Sequence, residues 1–271
     1  MRRHIRIFKY MPINSAYGPE NIKNLLSRNE VWLSSPAEFN DPLECKPVFE
    51  NDLTPKHFLE RYKQIKQNMD RRGFSVADHR IADTFNDLSI TKIRKKLTHS
   101  FVRNVLGTSL IQAATDTFKE TGVTCFSETG INSAMWAYYA DGHQGVCASA
   151  RVSLDEKINF VLERVEYTPI RPSINLSELV PQLGRWRMSS NDIRKFILTK
   201  SDHWAHEKEV RLLMPQDARQ SATLNGFLVD RLILGVRCSP ETKSWIRSLV
   251  PHGCIVSQAK FRSDSYDLEI E

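Results

Sequence analysis

Polar and apolar positions along the chain follow two different periods, and the change from one to the other divides it into three stretches. At the start, "HIRIFKY" (4–10) alternates loosely between apolar and polar and predicts a first strand. In "GPENIKNLLSR", Pro19 stands where a helix can open, and Ile22, Leu25 and Leu26 repeat at helical spacing. "EVWLSS" reads as a short strand closed by Pro36. "FNDPLE" reads as a turn, because Asn40 and Asp41 precede Pro42 and can bond their side chains to nearby backbone.

From Thr54 to Glu120 the period lengthens. "PKHFLERYKQIKQNM" and "TKIRKKLTHSFVRNVLGTSLIQAATDTFKE" carry apolar residues at helical spacing among many charges, which predicts a helical insertion or subdomain over 54–120. Its basic run, Lys92, Arg94, Lys95 and Lys96, reads first as a solvated face and second as a nucleic-acid contact.

Strand patterns return in "GVTCFSE", "GVCASARV", "FVLERVEY", "EVRLLMP", "FLVDRLILGVRC" and "CIVSQAKF". Between the first two lies a short helix, "NSAMWAYYADGH", with Asn132 or Ser133 as N-cap. "NDIRKFILTK" is helical, and "SPETKSWIRSLV" is a helix capped by Ser239 with Pro240 at its first position. The predicted class is α+β: a mixed, mostly antiparallel sheet with a helical insertion, in a single domain over 1–271.

Composition narrows the partners. With 271 residues and 41% hydrophobic content, the chain can bury a core without disulfides. No apolar run approaches the roughly 18 residues that span a bilayer. The opening "MRRHIRIFKYM" is too short and too quickly polar for a signal peptide. Five scattered cysteines without a CxxC fit reduced thiols, so the expected location is cytoplasmic. A net charge of +6 is compatible with a phosphate-bearing ligand or nucleic acid, and equally with an ordinary basic surface.

Candidate chemistry concentrates in "KSDHWAHEKEVRLLM" (200–214). His203 and His206 with Glu207 imitate a metal site, but the H-E-x-x-H spacing is absent and no third ligand is near, so no metal is expected. His206 reads as a hydrogen-bonding residue at a strand entry, and Trp204 as core. Glu207 and Glu209 are two apart, so within a strand they share a face and Lys208 takes the other. They then form either a working carboxylate pair or a solvated strand edge. Arg211, two further on, can pair with a carboxylate or reach a phosphate. In "MWAYYADGHQGVC", Met135, Trp136 and Tyr139 have the spacing of core residues, which leaves Tyr138 and His143 as ligand candidates. Gly142 and Gly145 suggest a tight turn from helix to strand. Cys125 and Cys147 sit in strands that read as buried, a poor setting for a nucleophilic thiolate.

Five blocks recur in a fixed order: "KY" (9–10), "FNDP" (39–42), "CFSE" (125–128), "MWAYYADGHQGVC" (135–147) and "WAHEKEVR" (204–211). Together they resemble a bacterial family catalogued as domain of unknown function 2971, whose layout in turn looks ADP-ribosyltransferase-like. That resemblance implies NAD as substrate. It implies Glu209, assisted by Glu207, as the carboxylates at the transferred ribose. It further implies Tyr10 with Lys9 on the first strand, Ser127 on the second, and Tyr138 or Tyr139 as the aromatic on nicotinamide; beside these, His143 and Arg211 stand as binding candidates from the residues themselves. The pattern departs from that superfamily in having no first-strand Arg or His at Tyr10 and no Ser-Thr-Ser triplet. The resemblance also implies a toxin or phage-defence effector, acting on protein, nucleic acid or NAD itself. Two other classes stand beside it. One is a nucleic-acid binder or metal-dependent nuclease, motivated by the charge and by Asp41, Glu44 and Glu128. The other is a catalytically silent ligand-binding module.

Overall fold

The computed structural model describes residues 4–67, 90–153, 157–180, 190–214 and 217–271. Fourteen strands are present among them. They are β1 (His4–Met11), β2 (Glu30–Leu33), β3 (Val48–Glu50), β4 (Gly122–Ser127), β5 (Val146–Ser153), β6 (Val161–Arg164) and β7 (Glu166–Thr168), then β8 (Ser173–Asn175), β9 (Thr199–Ser201), β10 (Glu209–Met214), β11 (Gln220–Thr223), β12 (Phe227–Leu234), β13 (Ile255–Phe261) and β14 (Leu268–Ile270). The chain groups into two compact units. One holds 1–38, 121–167 and 201–271; the other holds 39–120 and 168–200.

The first unit is built on an eight-stranded sheet in the order β14-β13-β12-β5-β1-β4-β10-β6. Every neighbouring pair is antiparallel except β12 and β13, which are parallel and joined through the helix Pro240–Leu249. The α+β class with a mixed, mostly antiparallel sheet is therefore what the pattern predicted. Ser239 caps that helix by accepting from the Thr242 amide, as its sequence signature required. One face of the sheet is a continuous apolar layer, with Ile7, Met11, Phe126, Val146, Val152, Leu212 and Leu232 packed together. The helix Gly18–Arg28 lays Ile22, Leu25 and Leu26 on this layer. Each such side chain contributes roughly 1.5–3 kcal/mol on burial.

The sheet is not continuous in its hydrogen bonding. β1 matches β5 over eight register pairs, and β4 matches β10 over six. Between β1 and β4 the register holds at one pair, Phe8↔Ser127. Further along β4, the chain after β2 takes the vacated edge: Ser34 and Val123 exchange both backbone bonds, and Thr124 Oγ1 donates to the Trp32 carbonyl. The two halves of the sheet thus part at Phe8/Ser127, leaving a wedge.

The second unit contains the predicted helices: Pro55–Gln67, Ile90–Lys96 and His99–Lys119. Residues 68–89 of the expected insertion lie outside the described residues. The longest helix starts where Thr98 Oγ1 accepts from the Phe101 amide, and buries Val102, Leu106, Leu110, Ala114 and Phe118. In the helix Ile90–Lys96, Ile93 is buried while Lys92, Arg94, Lys95 and Lys96 are exposed, the arrangement of a solvated face. The segment 168–200, which the pattern did not group with these helices, belongs to the same unit. "FNDPLE" forms the expected turn, with Asp41 Oδ1 accepting from the Leu43 amide at 2.8 Å. Glu44 is buried against Lys200 Nζ at 3.6 Å.

Candidate active site

At the wedge between β1 and β4 the polar residues of three strands come together. Lys9 sits on β1, and its ammonium donates to the Cys125 carbonyl on β4 at 3.2 Å and lies 5.3 Å from the Phe126 ring centre. Burial holds Lys9 below the usual lysine range, against the attraction of Cys125, Glu209 and Cys147 in their charged forms. On β10, register pairs Glu209 with Ser127 and Arg211 with Cys125, which puts the carboxylate and the guanidinium on one face. Arg211 donates to Glu209 through Nε at 2.8 Å and Nη2 at 2.9 Å. Arg211 is 0% exposed and Glu209 4%, so this bidentate pair is fully inside. The Glu209 amide donates to the Tyr167 hydroxyl at 2.8 Å, fixing the start of the strand.

Glu207 is not on the strand. It ends the 3-10 turn Asp202–Glu207, and Lys208 follows in the left-handed region at φ 46°. The even spacing of Glu207 and Glu209 therefore does not act through a shared strand face, because a left-handed residue breaks the period between them. Glu207 is 1% exposed, and its Oε1 accepts from the Tyr139 hydroxyl at 2.8 Å. Tyr139 is half-buried, packed on the cluster of Tyr10, Trp136 and Cys147 while its hydroxyl reaches the carboxylate.

Ser127 and Tyr10 serve the backbone. Ser127 Oγ donates to the Glu207 carbonyl at 2.6 Å, and Tyr10 donates to the Thr129 carbonyl at 2.8 Å while accepting from the Asn132 amide at 3.3 Å. The Tyr10 ring meets Trp136 edge-on at 5.3 Å. Burial raises the Tyr10 phenol far above its ordinary range, so this residue holds the loop 128–132 as a neutral hydroxyl. Asn132 caps the helix Ser133–Tyr139 through Met135 and donates from Nδ2 to the His206 carbonyl at 2.5 Å. His206, expected as a hydrogen-bonding residue, also places Nδ1 3.2 Å from the His203 carbonyl.

Tyr138 is 67% exposed, its ring edge-on to Trp204 at 6.3 Å. Trp204 is half-buried rather than core: it lies on the turn, where no apolar period draws it inward. His143 has φ 71° and stacks nearly parallel to Trp136, with ring centres 6.4 Å apart. Its Nδ1 is buried without a hydrogen-bond partner among the described residues. Desolvation and then Arg237 push its pKa down, favouring the neutral ring. A side chain at Gly145 would collide with the Met11 carbonyl, so the turn into β5 needs glycine there. Asp141, which the sequence reading did not single out, accepts from the Ile13 and Asn14 amides at 2.6 and 2.7 Å. Only its place in the "YAD" block could have signalled that role.

Burial drives the thiols of Cys125 and Cys147 well above their ordinary range, which fits inert side chains. Glu128 bonds Arg164 Nε at 2.6 Å. Among the described residues no group of three His, Cys, Asp or Glu lies together as a metal site would require. No helix among them is long and apolar enough to cross a membrane.

Residues 135–212 match the model of the family described as protein of unknown function (DUF2971). The family resemblance read from the motifs holds over that segment. It runs from the helix that carries Tyr138 and Tyr139 to the strand that carries Glu209 and Arg211, so the DUF2971 match covers both carboxylates. No curated protein and no solved structure matches the chain.

Proposed function

We propose that this DUF2971 protein consumes NAD as an ADP-ribosyltransferase or NAD glycohydrolase, with Glu209 as the carboxylate under the reacting ribose. The observation that carries the reading is the buried Glu209–Arg211 pair at the wedge between β1 and β4, with half-buried Lys9 on β1. Breaking the bond between ribose C1′ and the nicotinamide nitrogen sends the bonding electrons to nicotinamide and leaves positive charge on the ribose, as in glycoside hydrolysis. A carboxylate already oriented by two hydrogen bonds stabilises that charge without reorganising. Glu207, oriented by Tyr139, accepts the proton of the attacking group, which comes from water or an acceptor. Lys9 offers a cation to the diphosphate, Arg211 holds Glu209 in place, and Tyr138 offers an exposed ring for nicotinamide. Tyr10 and Ser127 act in this reading by holding the backbone that carries Asn132 and Glu207.

Loss of NAD is toxic to a cell, so the reading extends to a toxin or phage-defence effector working in the cytoplasm. A second reading, a silent ligand-binding module, draws on the same bonds, since both carboxylates are already engaged by Arg211 and Tyr139. Incubation with labelled NAD and a cell lysate separates the two. The enzyme releases nicotinamide and passes label to an acceptor or to water; the silent module does neither.

A further inference from the structure

The turn Asp202–Glu207 carries a group of rings that the carboxylate chemistry leaves unused. The Trp204 ring lies 6.1 Å from that of His206 at an interplanar angle of 33°, and Tyr138 borders Trp204 edge-on. His203, His206 and Lys208 are exposed and Trp204 is half-buried. Asp202 is the exposed acid of the turn, 3.6 Å from His203 Nδ1. A tryptophan on a surface turn is ordinarily drawn inward, because its large ring gains most from leaving water.

Here the turn is pinned at several points. Ser201 Oγ lies 2.8 Å from His203 Nδ1, Asn132 Nδ2 holds the His206 carbonyl, and Ser127 Oγ holds the Glu207 carbonyl. Lys208 closes it in the left-handed region. The rings are therefore presented in a fixed arrangement, and a planar ligand that stacks on them loses little free energy to ordering the site.

We propose that Trp204 and His206 form a stacking site for an unpaired base of single-stranded nucleic acid, with Lys208 beside it for a backbone phosphate. Every base has a π-face, so stacking accepts any sequence, and cations along the path bind the polyanion. The chain's net charge of +6 favours the same partner. Naming that strand as the acceptor rests on the ADP-ribosyl-transfer reading; its binding does not.

The test is fluorescence anisotropy with a labelled single-stranded RNA of about ten nucleotides, long enough for one stacking site. Trp204→Ala should weaken binding by roughly 5- to 150-fold, Trp204→Phe much less, and His206→Ala measurably. Trp32→Ala, on β2, should bind as wild type. Thermal melts check that each variant folds, and exposed His206 keeps the test valid if Trp204→Ala does not. Three results overturn the proposal: no RNA binding by wild type, wild-type binding by folded Trp204 and His206 variants, or equal competition by polyglutamate. Nicotinamide release from NAD is read on the same samples. RNA binding that follows Trp204 without any NAD turnover would sink the enzymatic reading alone. Turnover without RNA binding would sink the base site alone.

Discussion

Arg211→Met removes the cation from a carboxylate that has almost no contact with water. Arg211 is 0% exposed and Glu209 4%, and the substitution deletes two charge-assisted hydrogen bonds of 2.8 and 2.9 Å. Stranding one partner of such a pair costs about 3–5 kcal/mol. At about 2–4 °C per kcal/mol for a chain of this size, the melting point should fall by roughly 6–20 °C. Glu209→Gln in the same chain removes the stranded charge, so the double variant should recover at least half of that loss. Four of the five tryptophans (Trp32, Trp136, Trp204 and Trp245) lie in the unit that holds the pair, so tryptophan fluorescence during thermal and urea melts reports the right part of the molecule. A fall of less than about 3 °C for Arg211→Met would refute the reasoning, since it would put the loss near 1 kcal/mol. So would a double variant no more stable than the single one.

Two further outcomes follow from the same site. Burial lowers the Lys9 pKa in the folded protein, so the unfolded chain binds more protons up to the ordinary value of about 10.4, and stability rises with pH through that interval. The penalty is fully present below the folded pKa and is relieved above it. Wild type should therefore gain on Lys9→Met in urea midpoints measured from neutrality towards pH 10, and a constant or falling difference would contradict the buried-amine account. Tyr138→Ala should weaken NAD binding by roughly 5- to 150-fold in calorimetric titration with little change in melting point, because the ring is 67% exposed. Unchanged affinity with a lowered melt would remove its stacking role.

What the sequence made legible was governed by local periods and caps. The spacing of Ile22, Leu25 and Leu26 is read directly from the chain, and so is the cap at Ser239, while the helix Ser133–Tyr139 takes Asn132, one of its two candidate caps. The convergence of Lys9, Glu209 and Arg211 was legible as a list of residues but not as a place, because it depends on where β1 and β4 part. That parting is set by the chain after β2 pairing with β4, a contact between residues far apart in sequence. Glu207 was misplaced because its spacing from Glu209 suits a strand, whereas left-handed Lys208 has no strong residue-type signal. Trp204 was misplaced for a related reason: hydrophobicity alone sent it to the core, and the side-chain bonds that pin its turn come from Ser127 and Asn132, about 75 residues earlier. The short strands β3, β8, β11 and β14 carry three or four residues each, too few for a period to emerge.

The most direct test of Glu209 as the working carboxylate is nicotinamide release from NAD by wild type and by Glu209→Gln, with melts run on both. The account predicts measurable release by wild type and a loss of about 10²-fold or more in the folded variant. Wild-type turnover by Glu209→Gln would contradict it, and so would no release by wild type in the presence of lysate.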